Sequence, residues 1–461
     1  MTLDSVLTVA YLANQFPSAV EPYVGEEIDE LRRRGVEVIA GSVRRPDAAR
    51  NRLPGAACAP EILCLRPVRV LMVLRAIGLV LRRWDRIAGL VKRVVLRGKE
   101  SRTLRLKALV HTLMGAYYAV QLRERGVDHV HVHHGYFGSW IGMVAAKLLG
   151  VGFSLTLHGS DLLLGGAYLD TKLENCRFCL TISEYNRRYI LEHFPRIDSG
   201  KILVSRLGVE VLEPADCSRR GDRVTHRPLS LLAVGRLHAV KDHAFLVRAC
   251  ARLRDCGLDF ELLIAGEGPE RRRLEMLIWK KRLEGQITLL GHVARPEMDS
   301  LYQRADVVVL TSRSEGIPLV LMEAMTRGRI VLAPAITGIP EIVIPGKTGF
   351  LYAPGVQQDL AAKIVLLQRL IYGEERNAVS RLDWIQHAAR VQVLRNFNRR
   401  KNLTLFGDWF LTLIAAGNLA GQSLANPDPA DQDSTKQDFI TQDFTNQDWS
   451  PTHEDLVLQQ V

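Results

Sequence analysis

Along the first half of the chain, short apolar runs alternate with longer amphipathic stretches. Residues 6–12 read as an opening strand, residues 26–34 as a helix closed by Gly35, and residues 36–40 as the next strand. Further strands are predicted at 128–133 and 154–157, around a helix at 141–149, and 202–205 ends the series. Such alternation predicts a parallel sheet with helices on both faces. Residues 214–228 are polar, charged and aperiodic, and read as a linker. A second α/β series follows at 229–235, 260–266, 287–290 and 307–310, and residues 389–416 read as long terminal helix. The pattern therefore predicts an α/β chain with parallel-sheet domains at 1–213 and 229–388, a helical segment at 389–420, and a tail at 421–461. In that tail Gln437-Asp438-Phe439, Gln442-Asp443-Phe444 and Gln447-Asp448-Trp449 recur every five residues. An acidic, polar repeat of this kind is expected to be disordered, as a solvated tail or a short partner-binding motif.

Charge changes the picture in two places. The net charge is +11, but residues 426–461 hold eight acids and one lysine, leaving about +18 on the rest. A basic body suits phosphates, anionic lipid or nucleic acid. Nucleic acid fits poorly, because no helix-turn-helix, zinc finger or aromatic-interleaved patch accompanies the charge. Residues 66–107 are rich in arginine between Leu, Val and Ile. They read either as a basic amphipathic surface resting on anionic lipid or as a packed helix pair with a charged outer face. The longest apolar stretch, 68–81, is cut by Arg69 and Arg75 and is too short to span a bilayer. No signal peptide is visible at the start. Seven scattered cysteines (58, 64, 176, 179, 217, 250 and 256) give no disulfide framework and suit a reduced, cytoplasmic compartment. Cys176 and Cys179 form a lone C-x-x-C, either a metal or redox pair or a helix end entering a buried strand.

Candidate chemistry gathers where strands end. Residues 305–310 form a buried strand, 311–316 a polar loop, and Pro318 suits the first turn of the next helix. A helix starting there aims free N–H groups at the ligand crevice, a ready anion site. Glu315 sits in the loop and Glu323 about 7.5 Å farther along the helix axis, so one carboxylate can face a sugar ring and the other a ribose. After the strand at 229–235, Arg236 and Lys241 place two cations at the crevice, which suits a departing diphosphate as well as a solvated loop. Gly266-Glu267-Gly268 reads as a tight turn lining a nucleotide pocket, and Gly291-His292-Val293 as a place where backbone reads a base. In the first half, His158 and Asp161 follow a strand end, His158 pointing into the cleft or satisfied within its loop. His129, His131 and His133 alternate along one strand and could share a face, but no nearby Asp or Glu completes a metal site in the sequence.

Together these residues resemble glycosyltransferase family 4, retaining nucleotide-sugar enzymes of the GT-B fold. The likeness spans roughly residues 1–416. Its motifs are Glu315 through Glu323, Thr337-Gly338-Ile339-Pro340-Glu341, and Gly346-Lys347-Thr348-Gly349-Phe350. Gln15-Phe16-Pro17-Ser18 with Glu26-Glu27-Ile28, and the stretch from His133 to Asp161, look nearest to bacterial exopolysaccharide enzymes of the colanic-acid type. The resemblance implies two Rossmann-like domains facing a central cleft, with the terminal helix returning to the first. It implies that Arg236 and Lys241 bind the donor diphosphate, Glu323 the ribose and Glu315 the sugar hydroxyls. Backbone N–H groups of Gly316, Ile317, Pro318, Leu319 and Val320 would line the sugar and phosphate, although Pro318 has no N–H to give. Gly266, Gly268, His292 and Val293 would complete the donor pocket, with His158 beside the reacting carbon. Gln15, Phe16, Ser18, His133 and Asp161 would form the acceptor side. No metal or other cofactor is implied beyond a UDP- or GDP-sugar as co-substrate. The acceptor would be a saccharide, polyprenyl-linked, met by a cytoplasmic enzyme peripheral to the inner membrane face. The alternatives are a GT-B epimerase or phosphorylase, or a non-catalytic scaffold in polysaccharide assembly. Two departures stand out: Asn14-Gln15-Phe16-Pro17 replaces a glycine-rich first loop, and Val356 replaces a usual aspartate.

Overall fold

The computed structural model describes residues 6–18, 21–44, 62–98, 100–163, 166–211, 227–372 and 378–423. Most of the expected linker, nearly all of the expected tail, and Cys58 and Cys217 lie outside these residues. The chain divides into residues 1–414 and 415–461; in the second, residues 415–423 are helical.

Strands of the first sheet are β1 (Thr8–Gln15), β2 (Glu37–Arg44), β3 (Leu63–Cys64), β4 (His129–His133), β5 (Gly152–Leu157), β6 (Cys179–Thr181) and β7 (Ile202–Val204). The second sheet holds β8 (Leu229–Val234), β9 (Phe260–Ala265), β10 (Ile287–Gly291), β11 (Val307–Val309), β12 (Ile330–Pro334) and β13 (Phe350–Tyr352). The first half contributes helices α1 (Pro22–Arg33), α2 (Val70–Arg82), α3 (Trp84–Val95), α4 (Arg102–Leu122), α5 (Phe137–Leu149), α6 (Ser160–Leu163), α7 (Leu169–Asn175) and α8 (Glu184–His193). The second contributes α9 (His243–Asp255), α10 (Arg271–Lys280), α11 (Arg295–Arg304), α12 (Leu319–Thr326), α13 (Gln357–Tyr372), α14 (Ala378–Asn396) and α15 (Arg399–Ser423).

Among the described residues the first sheet runs β3-β2-β1-β4-β5-β6-β7 and the second β10-β9-β8-β11-β12-β13, with parallel pairing throughout. Strand alternation sorts each sheet's side chains onto two faces. In the second sheet Leu229, Leu231, Val307 and Val309 enter one core while Leu232, Val308 and Leu310 enter the other. In the first, Ala10, Leu12, Val130 and Val132 pack beneath α4 and α5. Val9, Tyr11 and Ala13 face the opposite way, against α1 and against Phe406, Phe410 and Ile414 of α15.

The return of the terminal helix to the first domain starts later than expected. Ala389, Val393 and Phe397 belong to the second domain's core, so α14 stays there, and the crossing falls just before Arg399. Residues 66–107 combine features of both readings. Ala76, Leu79, Ile87, Leu90, Val94 and Ala108 pack into the first core. Yet Val70, Leu74, Ile77 and Leu81, spaced along one side of α2, remain exposed, as do Leu106 and Val110 of α4. The outer surface is therefore apolar as well as basic. Among the described residues no helix is long and apolar enough to cross a membrane.

Phe410 is fully buried and meets Phe178 edge-on at 5.7 Å and His131 at 5.1 Å. Phe410→Ala is expected to destabilise by about 3–5 kcal/mol, read as a lowered urea midpoint.

Candidate functional site

Strand order reverses between β1 and β4 in the first sheet and between β8 and β11 in the second. Crevices outside the carboxyl ends of strands at such reversals are where α/β sheets bind ligands. Both groups of candidate residues sit there.

In the second domain, Lys241 follows β8 and Glu315 follows β11. Lys241 Nζ donates to Glu315 Oε1 at 2.5 Å. The two loops are laced together, Thr311 Oγ1 donating to the Lys241 carbonyl (3.0 Å) and Arg313 N to the Val240 carbonyl (2.8 Å). Asp242 caps α9 by accepting from Phe245 N (3.3 Å) and pairs with Arg313 at 2.7 Å. The Lys241 stem passes over Gly235, where a Cβ would lie 3.6 Å from it. Arg236 is exposed on the same loop. A Cβ at Gly266 would strike the Gly235 carbonyl, and one at Gly268 the Leu237 carbonyl. Those two glycines therefore let the β9 loop pack onto the β8 loop. His292, after β10, is exposed and Val293 half-buried.

Glu323 lies on α12, whose N-terminus follows Pro318. Its Oε2 accepts from the Tyr302 hydroxyl at 2.8 Å. Tyr302 is buried on α11, and the Arg327 guanidinium lies 5.0 Å from its ring centre. Burial, then the Glu323 charge, holds the Tyr302 phenol well above its usual range, so it stays a donor. Nothing in sequence spacing singled out Tyr302, because α11 carries no motif.

In the first domain, Asp161 organises the ends of β4 and β5. Its Oδ1 accepts from His158 N (3.0 Å) and Gly159 N (2.8 Å), and its Oδ2 from Gly135 N (2.8 Å). His134 lies 3.6 Å from Asp161 and 3.0 Å from Glu21. Burial opposes its charge, but pairing with these carboxylates wins and raises its pKa to about 10. Asp161 is lowered; burial resists this, and His134 and the backbone donors outweigh it. Gln15 ends β1, Phe16 and Ser18 follow it, and all three are half-buried. Phe16 N donates to Ser42 Oγ at 2.9 Å.

The two sides meet at backbone. A Cβ on Gly159 would lie 3.1 Å from the Gly316 Cα, and one on Gly316 would strike the His158 carbonyl. Gly338 backs Gly316 from the far side, and Thr337 Oγ1 donates to the Glu315 carbonyl at 2.6 Å. Glu341 reaches across to cap α8, accepting from Tyr185 N (2.7 Å) and Glu184 N (3.1 Å). Tyr23, Glu27, Arg295, Leu319, Glu323 and Arg399 line a pocket between the two domains.

The histidine strand does meet a carboxylate, against the expectation from sequence. Folding brings Glu27 of α1 to His133, Nε2 to Oε2 at 2.9 Å, with His131 close enough to complete a three-ligand cluster. In this structure the atoms of that cluster are engaged in hydrogen bonds. His131 Nδ1 contacts Ser154 Oγ (2.7 Å) and its Nε2 Thr156 Oγ1 (3.0 Å). His129 Nε2 meets the same Ser154 hydroxyl at 2.6 Å. Burial lowers the pKa of His129 to about 3 and that of His131 well below its usual range, so both stay neutral. Cys176 and Cys179 are buried free thiols, and burial pushes Cys176 up to about 12. That is the inert, strand-entry reading of the pair.

Two parallel sheets facing one another across ligand crevices define a GT-B architecture. Solved structures with that fold include sucrose-phosphate synthase from Thermosynechococcus elongatus, with TM-score 0.65 and 18% identity over 89% of this chain and all of the other. A glycosyltransferase from Rickettsia africae gives TM-score 0.62 and 20% identity over 89% of this chain and 99% of its own. The family model Glycosyltransferase Family 4 matches residues 20–211, and Glycosyl transferases group 1 matches residues 219–380. The amylovoran biosynthesis glycosyltransferase AmsK of Erwinia amylovora is 30% identical over 301 residues, 62% of this chain and 70% of AmsK. The protein designated colanic acid biosynthesis glycosyltransferase WcaL in Salmonella typhimurium is 34% identical over 206 residues, 43% of this chain. The match spans about half of WcaL's own length, 48%. The chain belongs to glycosyltransferase family 4.

The paired charges of the β4–β5 end make a pH prediction. His134, raised in the fold, stabilises fully below about pH 6.5, its unfolded value, and loses that contribution as pH rises through about 10. Asp161, lowered in the fold, stabilises above about pH 4 and loses this in acid. The melting-temperature gap between wild type and Asp161→Asn is therefore expected to be widest between about pH 4 and 6.5 and to shrink toward pH 10. A gap independent of pH would remove the ion pair from the stability of this corner.

Proposed function

We propose that the chain is a retaining hexosyltransferase that moves a hexose from a UDP- or GDP-sugar to a polyprenyl-linked saccharide in exopolysaccharide synthesis. The Lys241–Glu315 pair carries this reading: it stands at the second sheet's reversal, next to the Gly316 backbone that abuts His158 and Gly159. In this reading Lys241 and Arg236 meet the charge that builds on the departing diphosphate, together with the N–H groups opening α12. Glu315 takes sugar hydroxyls, Glu323 held by Tyr302 takes the ribose, and His158 touches the donor sugar beside the reacting carbon. The leaving phosphate accepts the acceptor's proton on the same face, so positioning and leaving-group stabilisation do the chemistry without a metal. Gly266 and Gly268 shape the pocket by letting its loops close up, while His292 and Val293 remain at its rim. His133 and Asp161 are buried and hydrogen-bonded, so they act on the acceptor side through the groups they hold, whereas Gln15, Phe16 and Ser18 can meet it directly.

Lys241→Ala is expected to lower kcat/KM about 10²–10³-fold, the usual effect of removing one donor to a developing anion. EDTA should leave turnover unchanged. Assay of UDP- and GDP-sugars by wild type and this variant separates an enzyme from a scaffold. Full activity in folded Lys241→Ala, or no donor turned over by wild type, would sink the reading.

The same proposal puts the protein on the cytoplasmic face of the membrane through α2 and α4. Support comes from their exposed Val70, Leu74, Leu81, Leu106 and Val110 beside Arg75, Arg82 and Lys107. Arg83 is a poor probe of this surface, because it donates to the Leu148 carbonyl at 2.8 Å, at the end of α5. Leu74→Glu with Leu81→Glu should abolish co-sedimentation with anionic vesicles while leaving the melting temperature nearly unchanged. Undiminished sedimentation would exclude α2 as the anchor.

A further inference from the structure

A buried chain of four side chains runs from α1 to His158. Tyr11 Oη donates to Glu27 Oε2, and His133 Nε2 lies 2.9 Å from that oxygen and 2.8 Å from Tyr11 Oη. The other nitrogen, His133 Nδ1, is 2.9 Å from His158 Nε2. All four residues are buried. Burial, then Glu27, holds the Tyr11 phenol well above its usual range, so it keeps its proton.

The proton positions follow by elimination. A carboxylate only accepts, and Tyr11 has one proton, which goes to Glu27. Both neighbours of His133 Nε2 then offer lone pairs, so Nε2 carries a hydrogen. An imidazole whose single N–H is at Nε2 leaves His133 Nδ1 bare to accept from His158 Nε2–H. His158 Nδ1 is then bare as well. It is buried and, among the described residues, has no hydrogen-bond partner.

The surroundings favour a neutral His158 ring, whose pKa burial holds well below its usual range. The His134 cation stands 4.6 Å from the His158 ring, which opposes a second cation there. Asp161 and Glu21 already pair with His134. Tyr23 stacks on His158 at 4.7 Å, and burial, then Glu21, keeps its phenol protonated.

We propose that Glu27 is a positioning residue for the transfer reaction: acting through His133, it fixes His158 as the Nε2–H tautomer and makes Nδ1 an obligate hydrogen-bond acceptor. A sugar hydroxyl is one donor such a nitrogen can accept from. The proposal rests on the donor-sugar role given to His158 above.

Long-range ¹⁵N NMR of histidine-labelled protein at pH 7 tests it, the His158 signals being assigned by their loss in His158→Gln. Wild type is expected to show Nδ1 bare and Nε2 protonated. Glu27→Gln removes the obligate acceptor, so His158 should lose its single tautomer. The same variant should lose about 10–100-fold in kcat, the scale of a lost orienting partner, with donor KM within about threefold. Tyr11→Phe leaves Glu27 against His133 and should keep both the tautomer and kcat. A wild-type His158 protonated at Nδ1 overturns the proposal. So does a Glu27→Gln variant with tautomer and kcat intact, or a Tyr11→Phe variant that loses the tautomer. If Glu27→Gln does not fold, the wild-type spectrum still decides. The spectrum needs no turnover, so a wild type with the expected tautomer and no activity would remove the transferase reading and leave the chain standing.

Discussion

Segments from two separate sheets can come into backbone contact only where a missing Cβ leaves room. Gly159 and Gly316 supply that room, and Gly338 supplies it again behind Gly316. The Glu315–Gly316 turn is thus held between a first-domain loop and a second-domain loop. Its side chains cannot shift without moving one of them. Lys241 is tied to that turn by its ion pair, and His158 by its own carbonyl against Gly316. The closest backbone approach of the two halves rests on Gly159 and Gly316, which have no side chain.

Electrostatics secures the first-domain partner of that contact. The backbone at Gly135 is gripped on both sides, its N–H by Asp161 and its carbonyl by Lys172 Nζ at 2.6 Å. Lys172 is wholly buried, and burial lowers its pKa to about 7. A buried ammonium is tolerated there because the Gly135 and Tyr136 carbonyls take its protons. Farther down β4, neutral His129 and His131 share the β5 hydroxyls of Ser154 and Thr156. The strand is polar inside without being charged inside.

The alternation of short strand-like runs with amphipathic stretches was enough to place β1, β2, β4, β5, β7, β8, β9, β10 and β11, and most of these are rich in apolar residues because they are buried on both faces. β3, β12 and β13 escaped this reading; β3 has two residues, and β12 ends in Pro334. Lys241 and Glu315 were legible because local chain direction alone sends them to strand ends. Tyr302, and the pairing of Glu27 with His133, were not. Glu27 is 106 positions from His133, and only the packing of α1 over the β1–β4 seam joins them. The same gap explains why residues 389–396, the end of α14, were expected against the first domain: helical periodicity says that a face is buried, and not against which sheet.

The two passages of chain between the domains run side by side. Val209 N donates to the Phe397 carbonyl (2.9 Å) and Arg399 N to the Val209 carbonyl (3.0 Å), with Gly208 packed against Arg399. A single tether would leave the halves free to swivel. Two zipped tethers fix the line about which any turning of one half against the other is expected.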